Sequence, residues 1–185
     1  MKKLSVLTTL LLLFLIATGC SGTTKKQTTS TSAQVESIVN KTNVSAEEAI
    51  HLFQAKYPNT AITALELEQS LGQPIYKLEG VDQQTEYEVK LNAKTKKFSD
   101  EHKETLDADD QNKQQEDQLN VQNLLSLEKA ATAAQKKVHG TPVEFELDKE
   151  MNITYWNVTL QDGKKEHAVK VNAQTGEVLE HETDD

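Results

Sequence analysis

One ten-residue stretch occurs twice in this chain. Val89-Lys90-Leu91-Asn92-Ala93-Lys94-Thr95-Lys96-Lys97-Phe98 returns as Val169-Lys170-Val171-Asn172-Ala173-Gln174-Thr175-Gly176-Glu177-Val178, 80 residues later throughout. Each copy reads as the end of a strand, a tight turn and the start of another strand. Such a repeat restricts the fold more than composition does. Each copy must be one supersecondary unit, and a unit of about 60 residues buries too little surface to be more than marginal alone.

The residues before the repeated stretch complete the unit. Ser45-Ala46-Glu47-Glu48 is a capping box, with a hydroxyl at the N-cap and a glutamate three residues on. Ala46, Ala49, Ile50, Phe53 and Tyr57 then fall on one helical face, and Pro58 stops the helix. In the second copy Ser126 caps, and Leu127, Ala130, Ala131, Ala134 and Val138 form the face. Extended segments follow in both: Leu65-Glu66-Leu67 matches Phe145-Glu146-Leu147, and Tyr76 and Leu78 match Trp156 and Val158. Asp82-Gln83-Gln84 and Asp162-Gly163 mark hairpin connections. Tyr87, Val89 and Leu91 alternate with Glu86, Glu88 and Lys90, the period of a strand with one buried and one wet face. A last strand starts near Phe98 and Val178. The pattern predicts an α+β fold of two tandem modules, each one helix packed on a three- to four-stranded antiparallel sheet, with Trp156 against the helix.

This order of helix, strand, Tyr/Trp strand and Asn-Ala-x-Thr-Gly-Glu-Val resembles the PepSY domain over residues 44–102 and 124–185. The resemblance implies a link to extracytoplasmic peptidases, because such domains occur in propeptides of thermolysin-like metallopeptidases, where an inhibitory role has been suggested. Lys96 stands where the family has glycine, which predicts a different or looser turn in the first copy. Residues 103–123 read as a polar, acidic and mobile linker between two separate folding units.

The chain opens with Met1-Lys2-Lys3, an apolar run from Leu4 to Ile16, then Ala17-Thr18-Gly19-Cys20. A short basic segment, an apolar run too short to span a bilayer comfortably, and small residues are the layout of a secretory signal. Its ending resembles the lipobox of bacterial lipoproteins, with Ala17 in the place usually held by leucine. The resemblance implies cleavage after residue 19 and a diacylglycerol thioether on Cys20, the chain's single cysteine. At about 0.8 kcal/mol per buried CH₂, two or more acyl chains anchor stably where one does not. Loss of Lys2 and Lys3 moves the formal charge from −9 to about −11. Residues 20–43, rich in Ser, Thr, Lys and Gln, read as a lipidated disordered tether with a span on the order of 25–30 Å.

Other chemistry finds little support. All 20 basic residues are lysine, against 29 acidic residues, a surface that does not suit nucleic acid. His51, His102, His139, His167 and His181 are scattered without zinc spacing, and Asp107–Asp110 lacks the glycine and distal glutamate of a calcium loop. Glu101-His102 and His181-Glu182-Thr183-Asp184-Asp185 read as solvated acidic stretches rather than ion sites. No nucleophile elbow or phosphate loop occurs. The reading is therefore no enzyme, no catalytic residue, no metal and no cofactor. Glu66, Glu86, Glu88, Glu144 and Glu146 form either an acidic binding face or a solvated outer face; the binding residues are otherwise unknown.

The expected function is a membrane-anchored binding module on the outer face of a Gram-positive envelope that inhibits or regulates a peptidase. The alternative is a structural or sensory envelope lipoprotein that binds peptide, wall polymer or another protein without affecting proteolysis. The anchor is testable by itself. Cys20→Ser is expected to move the protein out of the membrane fraction, and a variant that still sediments with membranes after a high-salt wash would refute the lipobox assignment.

Overall fold

A computed structural model of the chain describes residues 36–107, 110 and 112–183. Cys20, the signal segment and the tether up to residue 35 lie outside these residues. The first repeat holds α2 (Ala46–Lys56), β1 (Ala61–Ser70), β2 (Gln73–Val81), β3 (Thr85–Asn92) and β4 (Phe98–Thr105), preceded by a short helical turn, α1 (Ile38–Lys41). A second short turn, α3 (Lys113–Glu116), lies between the repeats. The second repeat holds α4 (Leu127–Gln135), β5 (Thr141–Glu150), β6 (Ile153–Asp162), β7 (Lys165–Asn172) and β8 (Val178–Thr183).

Local chemistry sets these elements. Ser45 Oγ accepts the Glu48 N–H at 3.1 Å, and Ser126 Oγ accepts the Lys129 N–H at 3.4 Å, so each long helix starts at its capping serine. In each repeat four strands form an antiparallel meander beneath one long helix. The inward residues Leu65, Leu67, Tyr76, Leu78, Val89 and Leu91, and their counterparts Phe145, Leu147, Trp156, Val158, Val169 and Val171, are all buried. Trp156 is fully buried and meets Phe145 edge-on, with ring centroids 6.3 Å apart.

Helix and sheet trade volume between the copies. Phe53 lies so close over Gly80 that a Cβ on the glycine would sit 2.6 Å from the ring. The corresponding pair in the second repeat is Ala134 and Leu160, both fully buried. One repeat keeps the bulk on the helix and the other keeps it on the sheet, so the interior is filled either way.

The expectation of two folding units on a mobile linker is corrected here. β1 and β5 pair antiparallel, and the eight strands form one sheet in the order β4-β3-β2-β1-β5-β6-β7-β8. Core residues of both repeats belong to a single hydrophobic cluster. The reason is physical: β1 and β5 are each the free edge of a small meander, and each carries two large apolar side chains at the join. Pairing satisfies both backbones and buries both sets at once.

The linker is also held. Leu119 is buried and donates its N–H to Ile62 O at 2.9 Å. Lys113 bonds the Glu86 carboxylate at 2.7–2.8 Å. Asn120 donates its N–H to Thr154 Oγ1 and accepts from Gln174 Nε2 through its carbonyl. The last residues of the expected tether are ordered too, since Ile38 in α1 is buried and α1 packs against β2 of one repeat and β5 of the other.

The turn at Lys96 is not looser than its partner. Asn92 Oδ1 accepts the N–H groups of Lys94 and Thr95, as Asn172 Oδ1 accepts those of Gln174 and Thr175. Lys96 has φ 59° where Gly176 has φ 78°. The asparagine bonds and the Lys96–Glu48 ion pair hold a left-handed lysine at a cost of roughly 1–2 kcal/mol.

The seam makes a prediction about fragments. Residues 124–185 alone would lose the β1 side of the seam and uncover part of Phe145 and Leu147, whose full burial contributes about 1.5–3 kcal/mol each, against a typical total of 5–15 kcal/mol. In urea the fragment is expected to unfold at a markedly lower midpoint than the full chain, with red-shifted Trp156 emission. Equal midpoints would show that the seam contributes nothing.

Candidate functional site

The two long helices, α2 and α4, cover one face of the sheet. The other face carries the alternate residues of each strand, and its centre is a pseudo-two-fold point. Leu65 pairs with Leu147, Glu66 with Glu146 and Leu67 with Phe145, so equivalent glutamates of the two repeats stand directly opposite each other. Like charges so placed repel. Lys77 relieves one side by reaching Glu66 and Glu68, each at 3.1 Å. The matching residue of the second repeat is Asn157, whose Nδ2 donates to Glu146 at 3.5 Å while its Oδ1 is buried without a partner.

The carboxylates feel this crowding. Burial, then the charges of Glu66, Glu68 and Glu146, raise the Glu144 carboxyl above its ordinary range. Glu66 is raised by burial, with Lys77 opposing. Glu79 is raised by burial and by Glu88 and Glu86. Burial lowers the Lys77 amine, but its bonds to Glu66 and Glu68 outweigh this and the net direction is up. The five glutamates singled out in the sequence thus share one face, joined by Glu68, Glu79 and Lys77, which strand alternation alone did not flag. At one end α3 lies across β1 and β2, and Lys113 there holds Glu86.

The two rims of the sheet are β4 and β8, each paired on one side only. Both are dense in charge, with Asp100, Glu101, Lys103 and Glu104 on one and Glu180 and Glu182 on the other, a composition that discourages casual edge pairing. The rims differ. Tyr57 at the end of α2 donates to Glu101 Oε2 at 2.8 Å, Lys56 bridges Glu101 at 2.8 Å, and Tyr57 stacks on Tyr87 with centroids 4.4 Å apart. The equivalents of Tyr57 and Glu101 in the second repeat are Val138 and His181, which cannot form that link. The β4 rim is therefore tied to its helix by side-chain bonds, and the β8 rim lacks that tie.

Among the described residues, no group of three or more His, Cys, Asp and Glu is arranged to hold a metal ion. His51, His102, His139, His167 and His181 remain spread over α2, β4, the loop after α4, β7 and β8. No helix among these residues is long and apolar enough to cross a membrane.

This geometry defines a class: a duplicated α+β module with its two long helices on one face of a shared antiparallel sheet. The chain belongs to the PepSY family, described as "Peptidase propeptide and YPEB domain", which matches residues 43–102 and 124–182. It is similar to a crystal structure of a candidate lipoprotein from Clostridium difficile 630, with a TM-score of 0.76 and 30% identity over 81% of this chain and 100% of that one. No curated protein matches the chain.

The acidic centre predicts a pH dependence. A carboxyl raised on folding contributes stability while it is protonated and loses that contribution as pH rises through its folded value. Between neutral pH and the ordinary carboxyl range, Glu144 therefore favours the folded state more as pH falls. Glu144→Gln is expected to raise the urea midpoint at pH 7, and its advantage over the parent is expected to shrink at pH 5. A constant difference at both pH values would rule out the crowding.

Proposed function

We propose that the chain is a non-catalytic binding protein, tethered through lipidated Cys20 to the outer face of the cell membrane, that engages and inhibits a peptidase of the cell envelope. The observation that carries this reading is the pair of one-sided rims in a family described by peptidase propeptides. An added strand satisfies backbone groups on both partners, and an inhibitor that binds as a strand presents a backbone already fixed in a sheet. The acidic open face adds long-range attraction for a basic partner surface, which speeds encounter and weakens with salt. The fold similarity to a candidate lipoprotein supports the anchor.

The test is an activity assay of secreted metallopeptidases from a host envelope extract, with the soluble 21–185 fragment in excess. The expected result is slowed proteolysis of at least one enzyme, an intact fragment, and weaker inhibition at high ionic strength. Absence of both inhibition and a complex would favour the structural or sensory role.

A further inference from the structure

Few large apolar side chains stand in solvent, and most of them gather in one place. Met151 is 88% exposed, Ile153 44% and Leu179 42%, and all three line one groove of about 290 Å³ with Tyr155 on the open face of the second repeat. Glu150 and Glu180 form its rim, and both pair with Lys170, which also sits 5.4 Å from the centre of the Tyr155 ring. The first repeat has no equivalent. Its residues at the four apolar positions are Leu71, Gln73, Ile75 and Ser99, two of them polar.

The groove adjoins the rim that lacks a tie to its helix. Leu179 lies on β8, where the register against β7 shifts between Lys170 and Val171, so it is the extra residue of a bulge. A bulge re-aims a side chain at a sheet edge. Along this rim Glu177, Glu180 and Glu182 are exposed.

We propose that β8 and its neighbouring groove form a docking site for an extended peptide segment, which adds as a ninth strand and lays an apolar side chain, flanked by basic residues, over Leu179 and Ile153. This rests on the binding role above and names its site and ligand chemistry. Strand addition supplies backbone bonds that any sequence can make, and side chains of alternate residues supply specificity. A groove of this size holds one or two side chains rather than a whole small-molecule ligand. The acidic rim selects lysine or arginine beside the apolar anchor, because an acidic neighbour would meet Glu180 and Glu182.

The experiment measures anisotropy of a fluorescent peptide of alternating leucine and lysine titrated with the full chain in detergent. Expected results are saturable binding, weakening of at least tenfold for Leu179→Ser and for Ile153→Ser, and no change for Leu71→Ser, a control at the exposed leucine of the first repeat that matches Met151. A leucine–glutamate peptide is expected to bind at least tenfold more weakly, and N-methylation of alternate backbone amides to abolish binding. Both serine variants alter half-exposed positions, and Trp156 emission checks that they fold. No saturable binding, equal binding of the N-methylated or acidic peptide, or equal loss with Leu71→Ser would overturn the proposal. So would self-association of the chain or binding to lipid vesicles that Leu179→Ser abolishes, since the groove would then serve a second copy or a bilayer. Running Leu179→Ser in the peptidase assay separates the two readings. Inhibition that survives the substitution removes this site and leaves the function; peptide binding without inhibition of any peptidase leaves the site and removes the function.

Discussion

The pairing of β1 with β5 is the contact on which everything else rests. Each repeat alone is a helix on a four-stranded meander with one strand edge open beside its core. At the seam Leu65, Leu67, Phe145 and Leu147 are buried together, and the two backbones complete each other's hydrogen bonds. A unit of this size gains little from its own core, so a shared sheet is the cheapest way to stability. The same contact places α1, the linker and both long helices, because all pack on or beside strands whose positions it sets.

The seam also produces the electrostatics. A near-two-fold relation between repeats puts Leu65 and Leu67 opposite Leu147 and Phe145, and Glu66 opposite its own equivalent, Glu146. Apolar residues profit from this and glutamates suffer. Lys77 compensates on one side, and Asn157 offers a neutral amide on the other. Burial raises the carboxyls of Glu66 and Glu144, and at Glu144 the charges of Glu66 and Glu68 across the seam add to it.

Divergence between copies then breaks that symmetry where a partner could use it. Tyr57, Lys56 and Glu101 fasten one rim to its helix, while Val138 and His181 leave the other without such a link. Ile153 and Leu179 stand where the first repeat has Gln73 and Ser99, so one of two equivalent outer corners is apolar. Neither change touches the inner face, where Phe53 over Gly80 and the Ala134–Leu160 combination fill the same space.

The elements were legible in the chain because their causes are local. Capping serines, period-two alternation and short turn signals act within a few residues, so the two long helices, the strands and the β2–β3 and β3–β4 connections with their counterparts are legible in the chain. The tight turn at Lys96 is not legible in sequence, because part of its support comes from Glu48, far along the chain. The seam, the packed linker and the shared core were not legible either. They depend on which strand edge meets which, and an edge looks the same in sequence whether it faces water, a neighbouring repeat or another protein. The acidic face could be anticipated from alternation, but the opposition of Glu66 and Glu146 needed the register. The groove at Leu179 needed the bulge and the fold of two hairpins. Sequence by itself determined the repeated module and its family; tertiary structure decided that two modules became one sheet, because burying two open edges against each other releases more free energy than leaving either in water.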